Sequence, residues 1–150
     1  MSAKIETVQT QTVVKTGKSR LLAAVGAAVI GGAAGNLVLY YTAGAIFPSV
    51  TAWPGASAGQ VVGANVVYLL IGAVVFALVR RFSPRPARHY VIIATLGLLA
   101  SLALPIGAAF GYGAPGMPAA DGATAVTLSL MHLLTYAISV PLFLRLGREG

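Results

Sequence analysis

From Leu21 to Val79 the chain contains no Asp, Glu, Lys or Arg, and between His89 and Leu144 only Asp121 breaks a second uncharged interval. Intervals of that length cannot be clothed for water. Globular domains carry about a quarter charged residues, whereas this chain of 150 residues carries 9%, with 57% hydrophobic residues and a mean hydropathy of +0.85. The solvent that suits it is hydrocarbon. About 20 apolar residues cross a bilayer core, which leaves room for roughly four or five spans and for no separate soluble domain.

Prolines, glycines and basic residues divide the apolar sequence. Residues 1–19 are polar, rich in Thr, Gln and Lys, without apolar periodicity, and are expected to be a flexible cytoplasmic tail. Residues 20–150 form the membrane domain, with spans expected at about 21–45, 60–79, 90–110 and 123–144. The stretch Phe47–Gly59 is rich in Pro, Gly and Ser, and Gly111–Gly122 carries four Gly and two Pro, so both read as loops. Between the second and third blocks lies a short basic turn, Arg80–His89, where Pro84 and Pro86 oppose helix continuation. The first block is a retained span by this reading, since its apolar run of about 25 residues exceeds the ~7–15 of a signal-peptide core.

The net charge of +7 would point to nucleic acid in a soluble chain, but here the basic residues edge the apolar blocks. Lys4, Lys15, Lys18 and Arg20 precede the first span, Arg80, Arg81, Arg85 and Arg88 fill the middle turn, and Arg145 and Arg148 follow the last span. Four spans place all ten on one face. The positive-inside rule makes that face cytoplasmic, so the expected fold is an all-α, four-transmembrane-helix antiparallel bundle with both termini in the cytoplasm. The opposite loops hold Trp53 and Tyr112, with Tyr40 and Tyr41 near the end of the first helix, as suits an interfacial aromatic belt.

Within the bilayer, close packing and buried polar groups are the informative features. Ala27, Gly31 and Gly35, spaced by four, form a small-residue ridge that lets another helix approach, and Gly59 and Gly63 repeat the pattern weakly. In the fourth helix Thr124, Leu128, His132, Thr135 and Ser139 make one polar stripe, expected to face inward because hydrocarbon cannot satisfy it. At 1.5 Å per residue, Asn36 and Asn65 lie about 15 residues above the basic ends of their helices, Ser101 about 11 and His132 about 13. These depths predict an intramembrane polar layer of Asn36, Asn65, Tyr68, Ser101 and His132, serving either as hydrogen-bond glue or as a small ligand pocket. Pro105 and Pro141 each free a carbonyl about four residues earlier, at Ser101 and Ala137.

Much chemistry is missing. There is no cysteine, so disulfides, thiolate metal sites and iron–sulfur ligation are excluded, and no metal ligand is expected. Glu6, Asp121 and Glu149 all lie outside the spans, which argues against a proton relay through a buried carboxylate. Ser129 beside His132 lacks an acid and makes a poor catalytic pair. His89 and His132 sit about 20 Å apart in depth, too far to ligate one haem within a chain.

A first helix ending in Gly35-Asn-Leu-Val-Leu-Tyr-Tyr41, the basic Arg80–Arg88 turn, Ser101 and Pro105 in the third helix and the Met131-His132 pair in the fourth together resemble a family of small four-helix bacterial membrane proteins classed only as a domain of unknown function, common in actinobacteria. The resemblance covers about Leu21 to Gly147. It implies four spans and a multi-pass location in the bacterial inner membrane, and it supplies no activity, cofactor or catalytic residue.

The expected function is therefore non-enzymatic: a small accessory or structural subunit that packs against a larger membrane complex or forms a homo-oligomer within the lipid bilayer, with no nucleic-acid partner. The alternative is a binding or transport protein that holds a lipid, quinone or haem beside the polar layer.

Overall fold

Uninterrupted apolar sequence in a bilayer must satisfy its backbone internally, which leaves the helix as the element available to segments of this kind. The computed structural model describes residues 2–113 and 115–148, with side chains described for 21–113 and 115–145. Among the described residues there are five helices and no strand: α1 (Ser2–Ile46), α2 (Ser49–Ala52), α3 (Ala58–Phe82), α4 (Pro86–Ala109) and α5 (Gly122–Arg148). Four segments, Leu21–Ile46, Ala58–Phe82, Pro86–Ala109 and Gly122–Arg145, are long and apolar enough to cross a membrane. The chain thus has the architecture of a multi-pass membrane protein.

Two local features depart from the sequence reading. The backbone of α1 is helical from Ser2, where a flexible tail is expected; an established helix extends at one hydrogen bond per added residue, and Gly and Pro are absent before Gly17. The side chains of Lys4, Lys15, Lys18, Arg20 and Arg148 lie outside the described ones. In the first loop, Ser49–Ala52 forms the single turn α2, which folds Val50 into the bundle.

The helix ends are capped by chemistry visible in the sequence. Ser57 and Gln60 form a reciprocal capping box at α3, with Gln60 N–H donating to Ser57 Oγ at 3.3 Å and Ser57 N–H to Gln60 Oε1 at 2.8 Å. Pro86 opens α4, where its missing N–H costs no bond. At the far end of α4, Gly111 adopts φ +78°, and Tyr112 N–H returns to Gly107 O at 2.9 Å. Asp121 caps α5 by accepting from Thr124 N–H at 2.8 Å. The hydroxyl of Ser49, and then the backbone N–H of Thr124, hold the Asp121 carboxyl below the usual carboxylate range against a smaller effect of burial.

In the bundle α1 packs on α3 and α5, α4 packs on α5, and α1 and α4 occupy opposite corners without touching among the described residues. The tight α1 contacts follow from small side chains. Its buried stripe is Ala24, Ala28, Gly32, Asn36 and Tyr40. That stripe is offset by one residue, about 100° around the helix, from the ridge read in the sequence. Gly31 and Gly35 face α5, where an added Cβ would lie 3.7 Å from Ile138 and 3.1 Å from Leu134. Within the chain, neither Ala27 nor Gly63 packs against another helix: Ala27 is exposed, and a Cβ at Gly63 would meet open space.

Two apolar clusters close the bundle ends. Near the basic turn, Phe76 stacks on Phe143 at 5.7 Å between centroids and takes the edge of Tyr90 at 5.0 Å. At the other end Tyr40, Val50, Ala56, Val61 and Met131 pack together. Tyr40 Oη donates to Ala56 O at 3.0 Å, and Trp53 Nε1 donates to Pro118 O at 2.9 Å, which ties the two loops together over that end. Between the clusters lies the polar layer.

Candidate functional site

Asn36 on α1, Asn65 on α3 and Thr135 on α5 form a closed triangle. Asn36 Nδ2 donates to Thr135 Oγ1 at 2.8 Å and to Asn65 Oδ1 at 3.3 Å, and Thr135 Oγ1 donates to Asn65 Oδ1 at 3.2 Å. Asn65 Nδ2 donates to the Val29 carbonyl at 3.2 Å, so its amide lies flat on α1 beside Gly32. A Cβ at Gly32 would sit 2.6 Å from Asn65 Oδ1. Glycine is what lets this side chain reach the opposing backbone. One acceptor is left over: Asn36 Oδ1, on a residue only 4% exposed, has no partner.

The other members of the expected layer stand near this triangle without joining it. His132 Nδ1 lies 2.7 Å from Leu128 O, one turn back on its own helix. Because a carbonyl only accepts, Nδ1 carries the proton and the neutral ring presents Nε2 as an acceptor. The His132 ring meets the edge of Tyr68 at 6.0 Å. Ser101 Oγ donates to Leu98 O at 2.8 Å, also within its helix. Thr135 and the Thr95–Tyr136 hydroxyl pair, which joins α4 to α5 at 2.8 Å, were not among the layer residues read from the sequence. Thr135 is legible in retrospect as the member of the α5 polar stripe one turn from His132.

All five expected layer residues line one cleft of about 440 Å³ between α3 and α4, floored by α5. It runs from Ala56 and Gln60 at the Trp53 end to Val75, Tyr90 and Phe143 at the basic end. On α3 the lining from Gln60 to Val75 covers about 22 Å of rise. Tyr68 (42% exposed), Ile71, Ile93 and Gly97 line the cleft yet are exposed, so it opens sideways toward the lipid. A Cβ at Gly97 would touch nothing within 4 Å. No Asp, Glu, Lys or Arg is among the lining residues. The volume lies in the range of small-molecule sites, which combine apolar walls with a few placed polar groups.

The interfacial cations gather away from the cleft. Arg80, Arg81, Arg85 and Arg88 are exposed around the α3–α4 turn and Arg145 is exposed at the end of α5; the Arg80 guanidinium lies over Phe76 at 6.0 Å and that of Arg81 over Phe82 at 5.3 Å. His89, in the same region, places Nδ1 2.6 Å from Ser83 Oγ. Among the described residues no three His, Asp or Glu side chains come together as metal ligands do.

No curated protein and no solved structure matches the chain. Residues 11–149 match the model of a family of unknown function, DUF6069, and since that match takes in nearly the whole four-helix domain, the chain belongs to this family.

Proposed function

We propose that the chain is a non-catalytic protein of the bacterial cytoplasmic membrane, both termini inside, that binds an uncharged amphipathic molecule entering sideways from the bilayer between α3 and α4. The observation that carries this reading is the cleft itself: an elongated, uncharged slot with lipid-exposed lining residues and a polar floor at a depth where hydrocarbon offers no hydrogen bonds. Its geometry favours a lipid or quinone over haem. The carboxylates of haem would find no cationic partner among the lining residues.

Filling the cleft tests the reading. Gly97→Leu adds a side chain where nothing stands in its way, so the variant should fold and lose the molecule that mass spectrometry detects after gentle purification and solvent extraction. Equal ligand content in wild type and Gly97→Leu would overturn it.

A second reading, an accessory subunit of a larger membrane complex or a homo-oligomer, draws on the outward face of α1, where Ala27 is exposed and Ile30 is 72% exposed. It has less support than composition alone lends it, because Gly31 and Gly35 are already packed against α5 of the same chain. A stoichiometric protein partner in the same purification, lost on Ala27→Trp, would favour it.

A further inference from the structure

We propose that the cleft selects a neutral lipid whose head group carries a free hydroxyl, held as a hydrogen-bond donor against Asn36 and His132; this rests on the lateral-binding reading above. The selection follows from which polar groups at the floor are already used. Both protons of the Asn36 amide are engaged, on Thr135 and Asn65, and what remains is the Oδ1 acceptor of a buried side chain. On His132 the proton sits on Nδ1 toward Leu128 O, and what remains is the Nε2 lone pair. Pro105 brings no N–H to the Ser101 carbonyl, so a third lining residue offers an acceptor without its usual helical donor. At the floor, the fixed-role atoms with no partner at all are therefore acceptors; the one spare donor there is the second N–H of Asn65, whose first goes to Val29 O.

An incoming head group has to supply protons. Molecules that only accept, such as a quinone, an ester or an ether, leave Asn36 Oδ1 as stranded as before. Anions meet acceptors with no cation nearby, and an ammonium would pass into a cleft without a counter-ion. A hydroxyl avoids both costs. Tyr68, whose hydroxyl both donates and accepts, adapts to either lone pair of that group at the lipid-facing side. From the polar floor at Asn65 the lining runs about 15 Å along α3 to Val75, room for the first part of an alkyl chain whose remainder leaves through the lipid-facing opening.

The test adds 1-monooleoylglycerol, its dimethyl ether and oleate separately to the full chain in neutral detergent, and counts retained adducts by native mass spectrometry for wild type and Gly97→Leu. A hydroxyl bonded in this setting should favour the monoglyceride over the ether by about tenfold, with little oleate retained and the preference lost in His132→Phe. If monoglyceride and ether bind alike and both are lost in Gly97→Leu, the donor requirement fails while lateral binding stands. If oleate binds best, the head-group class is wrong. Should no probe bind above the Gly97→Leu background, lateral binding of such chains fails together with the proposal.

Discussion

At the scale of single residues, one glycine and one threonine set the polar layer. Gly32→Ala puts a methyl group 2.6 Å from Asn65 Oδ1, and because Asn65 is pinned to Val29 O and Thr135 its amide has little room to move. The expected loss is about 1–3 kcal/mol, as for other overpacked sites, read as a lower midpoint in detergent-mediated or thermal unfolding; Gly63→Ala, which points into open space, should leave the midpoint unchanged. Thr135→Val keeps the shape and removes both a donor and an acceptor from the triangle, at about 1 kcal/mol. His132→Leu should be close to neutral for the ligand-free fold, within about 0.5 kcal/mol, because Leu128 O retains the backbone N–H of its helix. A large loss in His132→Leu with none in Thr135→Val would reverse the roles assigned to the two side chains. From the sequence, depth alone brought Asn36, Asn65 and His132 to one level. What depth could not supply was angle: a helix side chain one position along points about 100° away, so Gly32 rather than Gly31 meets Asn65; on α5 it is Thr135, one turn from His132 on the same stripe, that closes the triangle. Side-chain rotation also let His132 and Ser101 bond within their own helices, an option that spacing does not reveal.

At the scale of elements, the capping groups carry the clearest dependence on conditions. The Asp121 carboxylate, held below its ordinary range by Ser49 and Thr124, favours the folded form while ionised. Its contribution is present above its ordinary value of about 3.9 and is lost as pH falls through the depressed folded value. Asp121→Asn keeps an N-cap acceptor without the titration. The unfolding midpoint of wild type should therefore fall more steeply than that of Asp121→Asn below about pH 4, with the two converging once the carboxyl is protonated; parallel curves would show that another group dominates acid sensitivity. The spans themselves were legible to within a few residues, because apolar length and the Pro, Gly and Arg boundaries are strong signals in a bilayer. The single turn α2 was not. Four residues, Ser49–Ala52, between a proline and a Trp-Pro pair carry no periodicity, and what orders them is the burial of Val50 against the bundle end.

At the scale of the whole molecule, the bundle has two chemically different ends, and by the positive-inside rule that difference predicts an orientation with the basic end in the cytoplasm. Arg80, Arg81, Arg85, Arg88 and Arg145 cluster at one end, while the other shows Phe110 at 76% and Tyr112 at 79% exposure beside the loop joined by Trp53 and Pro118. Arg and Lys near span ends are retained on the cytoplasmic side, and acidic residues contribute little to the rule, so Asp121 does not counter it. Aromatic side chains suit the outer interface equally well as the inner, so the predicted orientation rests on the cations alone. A chain without native cysteine allows each position to be read by one introduced thiol. The obvious serines are poor choices, since Ser57 caps α3 and Ser83 bonds His89; Ala119 and Ala87 are exposed at the two ends and no side-chain hydrogen bond depends on either. In intact cells a membrane-impermeant maleimide should label Ala119→Cys and spare Ala87→Cys, with both labelled after permeabilisation. Labelling of Ala87→Cys alone would invert the bundle, carry the basic cluster outside, and remove the charge argument for both termini being cytoplasmic. The lateral cleft would survive that reversal, since its opening between α3 and α4 faces lipid whichever end is inside.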